Sequence, residues 1–275
     1  MSSVNRTVIE AGRVERQYWQ DLWRYRELLF FLSWRDVAVR YKQTAIGIAW
    51  AVIRPVATVT VFVVVFGRIA KLPSDGVPYP LLVLAGMLAW QLFATGFTSA
   101  GDSLVGSSNL ISKVYFPRLL VPMSAVAVSC VDFVVTLPVL LVLMVWYGIM
   151  PTWRFLLFPG FVLLTIASAM AVGIWLAALN VRYRDFRFIT PFVVQFGVYV
   201  TPVGFSSAAV PDQYWILFAL NPLTAIIEGF RWSLLGRADG FNLVSLTLSV
   251  LATGVLLTTG IRYFRRTERT IVDVI

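Results

Sequence analysis

Residues Arg35–Pro55 read R-D-V-A-V-R-Y-K-Q-T-A-I-G-I-A-W-A-V-I-R-P, and this stretch decides the fold. It opens with charged residues that need water or lipid headgroups, then turns into a hydrophobic run that continues to Phe66. Such a change marks the place where a chain passes from water into a bilayer. Arg35, Arg40 and Lys42 lie on the near side. Arg54-Pro55 interrupts the apolar run where a plain anchor would stay smooth, so the segment is expected to do more than anchor.

Composition agrees with a membrane chain. Of 275 residues, 59% are hydrophobic and 13% charged, against roughly 25% charged in soluble domains. The fold class expected is an all-α polytopic membrane protein. A net charge of +9 would suit nucleic acid if the cations were gathered on one polar domain. Instead they punctuate apolar segments, as topology signals do, and no nucleic-acid partner is expected. Cys130, the single cysteine, lies inside an apolar run and rules out a disulfide framework or a zinc site. With no histidine, the commonest metal ligand and general base are both missing, so neither a metal site nor a catalytic residue is assigned.

Upstream of the crossing stretch, residues 1–27 are polar and charged and contain no signal-peptide core. Tyr18, Leu22, Tyr25 and Leu29 recur at helical spacing, with Trp19 and Trp23 beside them and Arg16, Arg24 and Arg26 around them. This pattern predicts an amphipathic helix lying in the membrane interface, or alternatively one packed on a partner.

Downstream, six segments are long enough to cross a hydrocarbon core that needs about 20 residues each, so six transmembrane helices are expected. They fall near 46–67, 80–100, 119–147, 154–179, 188–205 and 242–262. The resulting division is a cytoplasmic N-terminal region over 1–33, a transmembrane domain over 34–265 and a cytoplasmic tail over 266–275. With both termini inside, the inner side receives Arg6, Arg13, Arg16, Arg24, Arg26, Arg35, Arg40, Lys42, Lys113, Arg118, Arg182, Arg184, Arg187, Arg262, Arg265, Arg266 and Arg269. The outer side receives Arg68, Lys71, Arg154, Arg231 and Arg237, a bias that favours this orientation.

Two connections depart from simple spans. Residues 206–240 hold the apolar pieces Tyr214–Leu220 and Leu223–Leu235, each too short to cross, with Pro211 before the first and Asn221-Pro222 between them. Proline at a first helical position after a capping residue starts a helix. Two short re-entrant outer helices are therefore expected, forming either a gate or an interfacial cap, with Glu228 and Arg231 able to pair across one turn. The inner loop Gly101–Arg118 carries Ser107, Ser108 or Asn109 as a cap and Leu110, Ile111, Val114 and Tyr115 as an apolar face before Pro117. That predicts a short helix, docking either on a partner or on this chain's own spans.

No phosphate-binding Walker loop, H-E-x-x-H, G-x-S-x-G or close carboxylate pair is present. Any ATP that drives this chain must be hydrolysed elsewhere.

Four blocks together carry a resemblance: the crossing stretch, N-L-I-S-K-V-Y-F-P-R-L-L-V-P from Asn109, N-V-R-Y-R-D-F-R-F-I-T-P-F from Asn180, and L-N-P-L-T-A-I-I-E-G-F-R-W from Leu220. With the tail F-R-R-T-E-R-T-I-V-D-V-I, they resemble the ABC-2 type permeases that export polysaccharides, from about Leu28 to Ile275. The O-antigen exporters are most similar, with capsule and teichoic-acid permeases near them. The resemblance implies a multi-pass protein of the bacterial cytoplasmic membrane, both termini cytoplasmic, working as a homodimer. Two copies of a separate ATP-binding subunit would carry ATP and Mg, and this chain no cofactor. A lipid-linked polysaccharide would be the cargo. Arg16–Leu32 would be the interfacial helix, Ser107–Phe116 the coupling helix and 211–235 the outer gate.

Candidate residues follow. Asn109, Leu110, Lys113, Val114 and Tyr115 are expected to meet the ATPase. Pro211, Tyr214, Trp215, Pro222, Glu228 and Arg231 are expected at the outer gate. Sugars stack on aromatic faces, so Phe62, Phe66, Phe196 and Tyr199 are expected to line the glycan channel, against the commoner use of such rings in packing. Arg54 either contacts a lipid headgroup or pyrophosphate, or extends its stem back to the inner headgroups. Asp132, alone in the third span, reads as a hydrogen-bonded packing residue, and Arg182, Arg184, Asp185 and Arg187 as inner-side charges. The competing function is an integral-membrane enzyme of lipid-linked sugar metabolism acting without an ATPase.

Overall fold

A computed structural model describes residues 15–42, 49–74, 76–183, 185–207, 210–236 and 241–274. Positions 43–48 within the crossing stretch, Arg184 and Arg237 lie outside the described residues, as do residues 1–14.

The described chain is helical, with no strand among its described residues. Its helices are α1 (Glu15–Arg24), α2 (Arg26–Lys42), α3 (Ala49–Phe62), α4 (Tyr79–Gly106), α5 (Ser108–Ile111), α6 (Leu120–Trp146), α7 (Phe158–Arg182), α8 (Phe186–Val200), α9 (Trp215–Leu220), α10 (Pro222–Leu235) and α11 (Leu243–Val274). A π-helical segment, Val63–Ile69, continues α3.

Five stretches are long and apolar enough to cross a membrane: Val52–Ile69, Tyr79–Gly106, Leu120–Trp146, Trp153–Arg182 and Leu243–Glu268. The remaining apolar helix, α8, has 15 residues and is about 22 Å long at 1.5 Å per residue. That falls short of a hydrocarbon core of about 30 Å. The sequence placed this segment over 188–205, but the helix ends at Val200 because Pro202 disfavours the helical conformation at Thr201, which is extended.

The central element is α4, whose side chains are buried on nearly every face, as a helix apolar all round should be. It packs against α3, α6, α7 and α10. In lipid, water expulsion does little to drive helices together, so close contact between small residues must do so. At Gly173 of α7, a Cβ would stand 2.6 Å from Ala100 Cβ of α4. Polar contacts add to the packing. Asn180 Nδ2 donates to Gly101 O at 2.9 Å, Ser168 and Thr253 hydroxyls meet at 2.8 Å, and Ser249 Oγ donates to Pro222 O at 2.8 Å.

Tyr18, Leu22, Tyr25 and Leu29 turn toward a second apolar cluster built on Leu104, Ile111, Phe116 and Phe264. The face predicted from their spacing thus packs on this chain's own bundle, while Trp19, Trp23, Phe30, Phe31 and Trp34 remain exposed. α2 runs unbroken past residue 33 and α11 past residue 265, so the divisions drawn there fall within continuous helices.

Candidate functional site

The candidate residues fall at two ends of the helices, one carrying α5 and the other α9 and α10. At the second end, Asn221 Oδ1 accepts from Leu223 N at 3.1 Å and Pro222 opens α10, which Gly236 closes in the left-handed region. Glu228 and Arg231, predicted to pair, form an ion pair at 3.0 Å and are almost fully buried.

Arg231 does more than neutralise Glu228. Past Val200 the backbone is no longer helical, so its carbonyls need partners. Arg231 Nη2 donates to Val203 O at 2.9 Å, Nη1 to Phe205 O at 2.9 Å, and Nε to Leu82 O at 3.2 Å. Glu228 Oε1 accepts from Ser207 N at 3.2 Å. The Tyr79 hydroxyl donates to the Gly204 carbonyl, and Phe62 packs where a Gly204 side chain would stand, 2.6 Å from a built Cβ. Irregular backbone at membrane depth is tolerated where protein surrounds it in this way. Sequence pattern singled out Glu228 and Arg231 but missed Tyr79, Gly204 and Ser207, which have no periodic signature.

The other residues expected at this end are exposed: Pro211, Tyr214 and Trp215 lie on or before α9, the uncovered piece of the pair. Pro222 is half-buried. Of the four aromatics expected in a channel, Phe62 is buried and Phe66 half-buried, their rings 5.2 Å apart. Phe196 and Tyr199 are exposed on α8, and Phe196 lies 4.2 Å from the Phe192 ring. The arrangement separates the four into a packed pair and an exposed pair.

At the α5 end, the predicted docking helix Ser107–Phe116 is a single turn, Ser108–Ile111, followed by a non-helical tip. Pro117 has no N–H to offer and disfavours a helical Phe116, which bars a helix from running on through the tip, but this one already ends at Ile111. Ile111 and Phe116 are buried as its two feet, while Asn109, Ser112, Lys113, Val114 and Tyr115 are exposed and Leu110 is half-buried. Arg118 N donates to Glu268 Oε1 at 2.9 Å, and the Arg118 guanidinium donates to the Glu268 carbonyl. The Arg265 guanidinium lies 4.7 Å from the Tyr18 ring centroid. Burial, together with the Glu268 carboxylate, pushes the Tyr18 phenol above its ordinary range. α1, α11 and the base of the tip therefore meet at one place. Nothing in local spacing announced it, because Arg118 and Glu268 are 150 positions apart.

The crossing stretch contributes a third contact. Arg40 pairs with Asp132 of α6 at 2.8 Å, and the Tyr41 hydroxyl donates to the same carboxylate. Pro55 meets Asp132 across a cavity of about 10 Å³ also lined by Gln91, Thr95, Ser129 and Thr136. Arg54 is exposed, with its guanidinium 5.8 Å from the Trp50 ring centroid. Among the described residues, no three metal-ligating side chains come together.

Residues 27–235 match the model of the family described as ABC-2 type transporter. The chain belongs to the ABC-2 type transporter family. Among its relatives is the O-antigen export system permease protein RfbA of Myxococcus xanthus, 30% identical over 77% of this chain and 82% of the relative. An O-antigen export system permease protein RfbA of Klebsiella pneumoniae is 24% identical over 90% of this chain and 95% of its own. The polysialic acid transport protein KpsM of Escherichia coli is 20% identical over 85% and 91% respectively. The ABC-2 match begins within α2 and ends at Leu235, the last residue of α10. It therefore includes the exposed tip and the Arg231 network, and this ABC-2 type transporter is a multi-pass membrane protein.

Proposed function

We propose that this chain is the transmembrane subunit of an ATP-driven exporter that carries a lipid-linked polysaccharide, O-antigen foremost, across the bacterial cytoplasmic membrane. It works as a homodimer with two copies of a separate ABC ATP-binding subunit, which carry ATP and Mg²⁺. Both termini lie in the cytoplasm. The chain is a transport subunit, not an enzyme, and needs no cofactor of its own.

The observation that carries this reading is the tip at residues 112–115. Val114 and Tyr115 are 52% and 66% exposed although both are large and apolar, and they stand between the buried feet Ile111 and Phe116. A rigid base with an uncovered apolar point is built to seat in another protein's groove. The similarity to permeases named for O-antigen export supports the cargo class. In this reading Asn109, Leu110, Lys113, Val114 and Tyr115 transmit the ATPase stroke. Phe62, Phe66, Phe196 and Tyr199 border the glycan path, Arg54 meets the headgroup or pyrophosphate of the cargo, and residues 211–235 form the outer gate.

Affinity purification of the tagged chain from its native membrane tests the partner, which should co-purify as an ATP-binding chain and be released when Asn109–Tyr115 is deleted. Retention after that deletion sinks the coupling role. Cells lacking the chain should accumulate a lipid-linked glycan on the cytoplasmic side, and absence of that material sinks the cargo assignment.

A further inference from the structure

At the end opposite the α5 tip, α7, α10 and the start of α11 enclose an open groove of about 820 Å³. Its walls include Leu157, Gly160, Leu164, Trp232, Phe241 and Leu246, with no charged side chain among the described residues that line it. That volume lies within the roughly 300–1,000 Å³ of sites that hold a small ligand. The groove has a built floor. Trp232 stacks on Phe241 at 4.8 Å, and Phe161 meets Phe241 edge-on at 5.9 Å. A Cβ added at Gly160 would meet nothing within 4 Å, so the wall is open there.

Among the described residues, a charged group stands beside the groove. The Arg154 guanidinium lies 5.0 Å from the Trp232 ring centroid, and its Nη1 donates to Gly236 O at 2.6 Å. A guanidinium carries five donors in a planar fork suited to phosphate, and here its plane is held in place by the ring and the carbonyl. An apolar trough between two membrane-crossing helices, with a fixed cation near one end, has the charge and shape pattern of a phospholipid. Among the described residues that line the walls, the Trp232 indole is the one hydrogen-bonding side chain a glycan would find.

We propose that this groove binds one anionic phospholipid of the membrane, an acyl chain lying along Gly160 and Leu164 and the phosphate meeting Arg154. The site is distinct from the proposed glycan path and does not depend on the cargo.

The purified protein in nanodiscs of phosphatidylglycerol and phosphatidylcholine, transferred to detergent and weighed by native mass spectrometry, tests the site. Wild type should retain one phosphatidylglycerol per chain in preference to phosphatidylcholine. Gly160→Trp, which fills the trough, should reduce retention at least ten-fold, and Arg154→Gln should retain a lipid but lose the preference for the anionic one. Equal retention by Gly160→Trp and wild type overturns the proposal. So does self-cross-linking of Leu163→Cys in a Cys130→Ser background, which would show a second copy of the chain on this face. Should Gly160→Trp fail to assemble, Arg154→Gln decides alone, and unchanged phosphatidylglycerol preference overturns the site.

Discussion

Arg40 of α2 stands 2.8 Å from Asp132 of α6, and Tyr41 donates to the same carboxylate. Two residues in the last turn of α2 are thus fastened to the middle of a helix that crosses the membrane. The Asp132 side chain is 13% exposed and the Arg40 side chain 38%, so water screens the pair only in part. Asp132→Ala should destabilise the protein by about 1–2 kcal/mol, the upper range for polar contacts in helical membrane proteins. The joint change Arg40→Met with Asp132→Leu should recover most of that loss, because it leaves no unmatched charge. Thermal unfolding of the single and double variants in one detergent measures both.

Tyr41 also predicts a pH dependence. Burial, then the hydrogen bond to Asp132, then its charge, push the phenol from 10.0 up to about 12. The neutral phenol is therefore favoured in the folded state. Its contribution is complete below pH 10 and is lost as pH rises through about 12. Wild type should lose thermal stability faster than Tyr41→Phe across that window, and parallel curves would show that the contact contributes nothing.

Arg231→Ala should be the most damaging single change at the α10 end. It leaves Glu228 as an uncompensated buried charge and strips donors from the Val203, Phe205 and Leu82 carbonyls. Breaking a buried pair costs about 3–5 kcal/mol. Arg231→Lys keeps the charge but loses the fork that reaches several carbonyls together, and should lie between the two. Yield of folded protein by fluorescence-detected size exclusion ranks the three.

Gly173→Val tests the seam between α4 and α7. A side chain there collides with Ala100, and overpacking a tight site costs about 1–3 kcal/mol. Ala100→Gly in the same chain should restore part of the loss, as measured by melting temperature.

At the opposite end, Val114→Ser with Tyr115→Ser should leave the melting temperature within experimental scatter, since surface changes usually stay within about 0.5 kcal/mol. The same variant should lose the ATP-binding partner in a pull-down. A partner retained at wild-type level would remove the tip from the docking surface.

Much of this was legible where the deciding interaction is local. Asn221-Pro222 announced the start of α10, and Glu228 and Arg231, one turn apart, were recognisable as a pair. The helical face Tyr18, Leu22, Tyr25 and Leu29 was recognisable from its spacing, although its partner was this chain's own bundle. The expected α8 runs past Pro202, although proline restricts the residue before it. The expected α5 likewise runs to Phe116, whereas the helix ends at Ile111. What escaped altogether were the long-range contacts. Tyr41 and Asp132 are 91 positions apart and Arg231 and Leu82 are 149 apart, whereas periodicity speaks only of neighbours on one helix. The carbonyl groups that Arg231 serves belong to every residue type alike, so composition gives no hint of them.

The Arg231 network has a mechanical corollary. Because one side chain holds Leu82, Val203, Phe205 and Glu228 together, α4, α10 and the backbone just past α8 must travel as a unit. Along its own length α8 is secured much less, with Thr190 its single buried side chain. A rod held toward its C-terminal end, where Trp90 of α4 fills the space beside Gly197, with most of its side chains exposed, is a lever with its fulcrum at that end. Displacement delivered near Phe186 would swing the aromatic rings at Phe192 and Phe196 through an arc while Val203 stays still.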